Sequence, residues 1–161
     1  MNSMNYTSEK MTLKNAHKIL KWRYDKPYDT YNFEETDEAI DELLNQNFFS
    51  IYESCDLVGY YCYGISAQVP SEETAEIYSD ESYVDVGLGM RPNLTGMGRG
   101  KLFFEYILQD IKNIFPDKKL RLTVASFNKR AIKVYERGGF KYVMSFTPKN
   151  SELEFKIMIQ H

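Results

Sequence analysis

The sequence predicts an α/β domain in which a mixed sheet is flanked by about four helices. Three observations carry this. Short runs alternate apolar and polar residues at period two, as in Leu120, Leu122, Val124 and again in Leu153, Phe155, Ile157, Ile159. Segments with helical spacing follow such runs directly, the clearest being Leu102, Phe103, Tyr106, Ile107, Ile111, Ile114. The chain has 161 residues, 43% of them apolar and 27% charged, enough for one domain over residues 1–161 with a sizeable core.

In chain order, Met1–Lys10 is polar and reads as loose chain or partly as a first edge strand. Thr12 is placed to cap a helix through about Tyr24, with Leu13, Ala16 and Leu20 on one face. Trp22, Tyr24, Tyr28, Tyr31 and Phe33 then surround Pro27, an aromatic loop that either packs on the core or lines a substrate cleft. Thr36 with Asp37 and Glu38 behind it is a second helix start, its buried stripe Ile40, Leu43 and Leu44. Phe48–Glu53 and Leu57–Ser66 read as two strands joined by a short turn at Ser54-Cys55-Asp56.

Gln68–Ser82 is a polar loop carrying Glu72, Glu73, Glu76, Asp80 and Glu81 without a basic residue. It is either a solvated face or an attractor for a cationic amine. The central strand, Val84–Met90, meets Pro92, a glycine-rich turn and a long helix that stops before Pro116. A strand at Leu120–Val124 runs into Asn128, a good cap for a helix over Lys129–Arg137 that ends at Gly138-Gly139. Lys141–Phe146 and Leu153–Ile159 are the last two strands, and an exposed final strand would let a second copy pair into a homodimer.

The turn Gly96-Met97-Gly98-Arg99-Gly100-Lys101 is the chemical centre. Glycines at alternate positions let backbone N–H groups face one concavity, and the helix that opens there adds its free N–H groups and the positive end of its dipole. Such a junction takes a phosphate or pyrophosphate. It is not a P-loop, because Leu102 follows Gly100-Lys101 and Thr95 stands where the first glycine belongs. The dinucleotide fingerprint fails as well: counted from Gly96 its last glycine is Lys101, and from Gly87 it is Pro92.

Taken together, GLGMRPNLTGMGRGKLFFEYIL and, about thirty residues on, ASFNKRAIKVYERGGF resemble the GNAT N-acetyltransferase superfamily. The first resembles its acetyl-CoA motif Q/R-x-x-G-x-G/A, with Gly98 and Gly100 as the glycines and Thr95 in place of the usual Arg or Gln. The second resembles N-x-x-A-x-x-x-Y-x-x-x-GF through Asn128, Ala131, Tyr135, Gly139 and Phe140. The resemblance implies a mixed, mostly antiparallel central sheet of six or seven strands with a V-shaped splay at the cofactor site. It implies acetyl-CoA as cosubstrate and direct attack by an amine in a ternary complex.

On that resemblance the backbone of Leu88, Gly89 and Met90 pairs with the pantetheine, and Gly96, Met97, Gly98, Arg99, Gly100 and Lys101 hold the pyrophosphate. Asn128 and Ala131 touch the cofactor, and Tyr135 protonates the leaving thiolate. Asp85 on the central strand is the candidate general base, with Glu53 and Tyr83 behind it. A covalent route through Cys55 or Cys62 is disfavoured because neither has a neighbouring histidine.

The acceptor is a small-molecule amine or a protein amine. A non-catalytic acyl-CoA-binding module on the same fold is the alternative. A nucleotide-binding α/β protein is the third reading, disfavoured by the failed fingerprints. The formal charge of −3 argues against nucleic acid as partner, and His17 and His161 are isolated, so no metal site is expected. Neither a signal-peptide core nor a long apolar span is present, so no membrane association is expected and the cytoplasm is the default compartment.

Overall fold

A computed structural model describes residues 5–160, so residues 1–4 of the expected loose N-terminus and residue 161 lie outside the described residues. Seven strands form one sheet in the order β1-β2-β3-β4-β5-β7-β6. They are β1 (Tyr6–Lys10), β2 (Phe48–Glu53), β3 (Asp56–Tyr63), β4 (Tyr83–Met90), β5 (Lys119–Ala125), β6 (Phe140–Phe146) and β7 (Phe155–Gln160). Five helices accompany them: α1 (Leu13–Leu20), α2 (Asp37–Asn45), the single turn α3 (Ala75–Tyr78), α4 (Gly100–Ile114) and α5 (Lys129–Arg137). The chain packs as two compact units, one running up to Cys62 and including Leu88–Phe103, the other holding Tyr63–Gly87 and the chain from Phe104 on.

In the first unit, local chemistry sets the elements. Thr12 Oγ1 accepts the Asn15 N–H at 3.2 Å and starts α1, and Thr36 Oγ1 accepts the Ala39 N–H at 3.1 Å and starts α2. Helix α1 is shorter than its apolar spacing suggests and ends at Leu20. Ala16, Ile19 and Leu20 are buried, whereas Leu13, expected on that face, is 53% exposed. Buried Asn15 donates to Ser50 Oγ at 3.1 Å and to the Tyr52 hydroxyl, tying α1 to β2 through satisfied polar groups. β1 and β2 run antiparallel from Tyr6 opposite Glu53 to Lys10 opposite Phe49, so the expected first edge strand is present. The β2–β3 hairpin closes on two residues, Ser54 and Cys55, with φ of 54° and 95°. Both take the left-handed conformations that a tight hairpin needs, without glycine.

In the second unit, β4 and β5 pair in parallel, Tyr83–Val86 against Lys119–Leu122. β5 and β7 are antiparallel, as are β7 and β6. The final strand is therefore an interior strand and not the exposed edge expected from the sequence. The chain leaves β5, passes through α5 and β6, and returns to insert β7 between them. Both Ile157 and Met158 are buried, because the middle of an interior strand is covered on its two faces. The edge on that side is β6, where Tyr142 and Val143 are exposed.

Helix α4 is buried through Phe103, Phe104, Ile107 and Ile111, while Leu102 and Ile114 are exposed. The buried stripe is thus rotated by one residue from the expected one. Asn128 Oδ1 accepts the Ala131 N–H at 3.1 Å and starts α5 where the sequence places it, and Gly139 at φ 92° turns the chain into β6.

Candidate active site

In the first unit, β4 ends at Met90 and the chain turns through Pro92–Leu94 before reaching the glycines. Thr95 Oγ1 donates back to the Pro92 carbonyl at 2.7 Å, so this side chain serves its own turn. Gly96 and Gly98 sit at φ 73° and 74°, conformations that side chains other than glycine's rarely take. A Cβ built on Gly98 meets nothing within 4 Å, so this face of the turn opens into free space. The first bond of α4 runs from the Phe103 N–H to the Arg99 carbonyl. The N–H groups of Gly100, Lys101 and Leu102 therefore emerge from the helix end without an intrahelical acceptor. Two left-handed glycines followed by a helix N-terminus form an anion cradle made of backbone.

The charged residues at this turn differ in their engagement. Arg99 Nη1 holds Glu53 Oε1 at 3.0 Å, both side chains about a quarter exposed, so Glu53 occupies the guanidinium. Their charges act in opposite senses on Tyr6, whose hydroxyl is pushed up first by burial, then by Glu53, and held down by Arg99. Lys101 and Met97 are exposed. At the end of β4, Tyr24 donates its hydroxyl to the Met90 carbonyl at 2.6 Å, and the Arg91 N–H donates to the Val58 carbonyl. Burial raises Tyr24 well above the ordinary tyrosine range, so it stays a donor.

Gly89 has no side chain because Tyr60 lies across it; a Cβ there would fall 2.4 Å from the Tyr60 ring. The same ring meets Trp22 at 6.2 Å, Phe33 at 5.9 Å and Phe48 at 6.0 Å between centroids. Of the aromatic loop flagged in the sequence, Trp22 and Phe33 thus converge on a residue that was not flagged. Tyr60 was hidden within an ordinary strand pattern. Its sequence signal was Gly89, a glycine inside a strand, which marks a close approach.

In the second unit lie Asp85, Asn128, Ala131 and Tyr135. Asn128 and Ala131 form the cap of α5 and are half-buried. Tyr135, one turn on, is 8% exposed and packs on Phe104 at 4.8 Å between ring centroids.

Asp85 does not have the environment of a general base. It is 4% exposed and opposite Arg121 in the parallel register. Arg121 Nε reaches Oδ1 at 2.6 Å, Nη2 reaches Oδ2 at 2.8 Å, and Gln68 Nε2 adds a third bond at 2.8 Å. Both oxygens are committed. Arg121 is itself 1% exposed, flanked by the rings of Tyr78 and Tyr83 at 5.4 Å and donating to the carbonyls of Ile77 and Tyr78. The pair therefore ties the loop before β4 to the sheet. The two weaker candidates are engaged too, Glu53 with Arg99 and Tyr83 with Arg121. Two charges with apolar residues on either side, Asp85 in Val-Asp-Val and Arg121 in Leu-Arg-Leu, were the available signal for this partnership.

Residues 68–82 are ordered by Tyr78, whose hydroxyl accepts the Val69 N–H at 3.1 Å and bonds Thr123 Oγ1 at 2.7 Å. A shallow cavity of about 350 Å³ there is lined by Gln68, Pro70, Ser71, Thr74, Tyr78 and their neighbours. The five carboxylates of this stretch are exposed, and none of them lines the cavity. Among the described residues no group of His, Cys, Asp and Glu is placed to hold a metal ion, and no helix is long and apolar enough to cross a membrane. Cys55 is exposed and Cys62 is buried.

The profile of the Acetyltransferase (GNAT) family matches residues 13–140. The chain belongs to this family. A spermine/spermidine N(1)-acetyltransferase of Bacillus subtilis (strain 168) is 25% identical over 114 residues, which is 68% of this chain and 66% of that protein. A Bacillus subtilis subsp. natto protein named as a probable spermine N(1)-acetyltransferase matches equally well. Among solved structures, an aminoglycoside acetyltransferase AAC(6′)-Ib with coenzyme A has a TM-score of 0.74 at 18% identity, covering 97% of this chain and 94% of that one. A GNAT acetyltransferase from Bacillus anthracis has a TM-score of 0.72 at 12% identity, covering 99% and 96%. These likenesses establish a GNAT fold: seven strands, mostly antiparallel, with five helices, one more than expected.

Proposed function

We propose that this GNAT protein is an acetyl-CoA-dependent N-acetyltransferase acting on a primary amine by direct attack in a ternary complex. The observation that carries the reading is the backbone cradle at Gly96–Lys101, with two left-handed glycines, open space over Gly98 and a helix whose first bond runs from the Phe103 N–H to the Arg99 carbonyl. A diphosphate matches such a site in charge and in hydrogen-bonding capacity. Lys101 adds positive charge, and Arg99 joins when the phosphate draws it from Glu53. The backbone of Leu88 and Gly89, beyond the last β4–β5 pair at Val86 and Leu122, accompanies the pantetheine, while Met90 lends its carbonyl to Tyr24. Asn128 and Ala131 present the start of α5 to the cofactor. A single domain over residues 1–161 carries the reaction, and the cytoplasm supplies the acyl donor.

The reaction needs a neutral amine, a placed thioester and a neutralised thiolate. The amine nitrogen bonds to the thioester carbon and the C–S bond breaks. Tyr135 gives its hydroxyl proton to the departing sulfur and regains one from the new amide nitrogen through water. Asp85 takes no part in proton transfer, since its oxygens are held by Arg121 and Gln68. The amine therefore loses its first proton to solvent, and the rate rises with pH until the acceptor is neutral.

Burial of Tyr135 against Phe104 favours a second reading, a binding module in which this tyrosine is structural. The test is a thermal-shift titration with acetyl-CoA, coenzyme A, ATP and NAD, followed by an amine screen that reads released thiol. Stabilisation by both coenzyme A species, with thiol release, is expected; a ligand at about a hundred times its Kd adds about 2.7 kcal/mol. Stabilisation without release for any amine leaves the binding module. No stabilisation by either species refutes both.

A further inference from the structure

The proposed activity asks Arg99 to meet a phosphate, whereas in the first unit its guanidinium meets a carboxylate. The Arg99 carbonyl accepts the first bond of α4, Lys101 follows in the first turn, and that turn contains no acidic residue. Two cations at the positive end of a helix oppose its dipole, so the helix start gains from an anion beside it. Glu53 supplies that charge from the end of β2, with Oε1 3.0 Å from Arg99 Nη1. Packing delivers it there. Glu53 lies opposite Tyr6 in the β1–β2 register, and the Tyr6 ring stands edge-on to Phe103 at 5.9 Å between centroids. Phe103 donates the N–H of that same first bond of α4. The end of β2 is thus fastened to the helix start.

The pair is built to exchange. Glu53 takes one N–H of the guanidinium, and the remaining side-chain donors of Arg99 have no partner among the described residues. About a quarter of each side chain is exposed. The Asp85–Arg121 pair is the contrast, with two bonds and side chains 5% and 1% exposed. A diphosphate has more charge and more acceptors than one carboxylate, and it fits an arginine fork better than a single contact does.

We propose that Glu53 is a resident competitor for the anion at the cradle: it and the cofactor's phosphates contend for Arg99, so Glu53 lowers the affinity for acetyl-CoA and raises the threshold for any anion. This rests on the cradle reading above. A ligand gains Arg99 only by breaking the Glu53 contact. A weak anion gains no more than it displaces, and a diphosphate gains more. Glu53 is then a specificity-determining residue for the cofactor, not the general base weighed from the sequence.

The test is calorimetric titration of acetyl-CoA into the full chain and into Glu53→Gln, Arg99→Gln and the double variant. Glu152→Gln removes one charge at another exposed position and serves as control. Glu53→Gln should tighten acetyl-CoA about threefold to fivefold, the size of one partly exposed ion pair. Arg99→Gln should weaken it, and in that background Glu53→Gln should change nothing further. Sulfate, read as a competitor of acetyl-CoA, should gain by a similar factor in Glu53→Gln, and Glu152→Gln should match the parent. Weaker acetyl-CoA binding by Glu53→Gln would mean that Glu53 orients Arg99 for the phosphate, and overturns the proposal. An unchanged affinity overturns it too. So does an equal gain without Arg99 or from Glu152→Gln, since either would be charge acting at a distance. In each of these cases the parent still binds acetyl-CoA, and the cradle reading stands. A parent that binds neither acetyl-CoA nor coenzyme A overturns both.

Discussion

Replacing Asp85 by Asn separates a structural carboxylate from a catalytic one. The side chains of Asp85 and Arg121 are 5% and 1% exposed, and two short bonds join them in a bidentate pair. Asparagine keeps the shape but removes the charge, and its amide N–H₂ faces guanidinium donors. Arg121 is left as a buried cation, and Gln68 loses its acceptor. Breaking one side of a buried pair costs about 3–5 kcal/mol. For a chain of this length that is a fall in Tm of roughly 6–20 °C. Urea unfolding followed by circular dichroism measures the loss directly. The double variant Asp85→Leu, Arg121→Met removes both charges and should recover part of it. Recovery stays incomplete, because the carbonyls of Ile77 and Tyr78 lose their donor. A single variant within about 2 °C of the parent Tm, but with transfer reduced a hundredfold, would refute the structural assignment and restore Asp85 as the base.

Tyr135→Phe should lower kcat by at least about a hundredfold with the KM for acetyl-CoA unchanged, measured by thiol release. Loss of stability without loss of rate would mean that the ring's packing on Phe104 is its whole role. Gly98→Ala places a methyl group in the open face of the cradle at φ 74°. It should cost about 1–2 kcal/mol of stability and weaken coenzyme A binding by more than ATP or NAD binding, read by calorimetry. Tyr24 and Tyr60 have hydroxyls raised by burial. A raised value means that the folded state holds the proton more tightly, so stability is full below about pH 10 and is lost as pH climbs towards the folded-state values. Urea midpoints at rising alkaline pH should fall, and the 295 nm titration should show these two of the 13 tyrosines ionising late. A single native transition near pH 10 covering every tyrosine would contradict the burial.

Signals that act within a few residues were legible in the sequence. The caps at Thr12, Thr36 and Asn128 are each one hydrogen bond across three residues, and all three form as written. The strand–turn–helix about Gly96–Gly100 was equally plain, because positive φ and an open helix start are local properties. What depends on partners far along the chain was not legible. Alternation in Leu153–Ile159 says strand, but not that the strand lies between β5 and β6. Apolar spacing in α4 left the buried face uncertain by one residue, and Phe104 took the place given to Leu102. Asp85 was visible as an oddity; the guanidinium 36 residues away that explains it was not. Tyr60 entered the candidate site only through rings from another part of the chain.

The insertion of β7 has a consequence for how the second unit is made. β6 emerges before β7 but has no place in the sheet until β7 arrives, because β7 is the strand on which both β5 and β6 pair. During synthesis β5 carries an open edge while α5, β6 and the connecting turn are being added. Sheet completion is deferred until residues 155–160 clear the ribosome, and it then happens on both sides at once. A lesion in these six residues unpairs two strands rather than one, so nascent chains stalled just short of them should be the form most prone to aggregate through exposed edges.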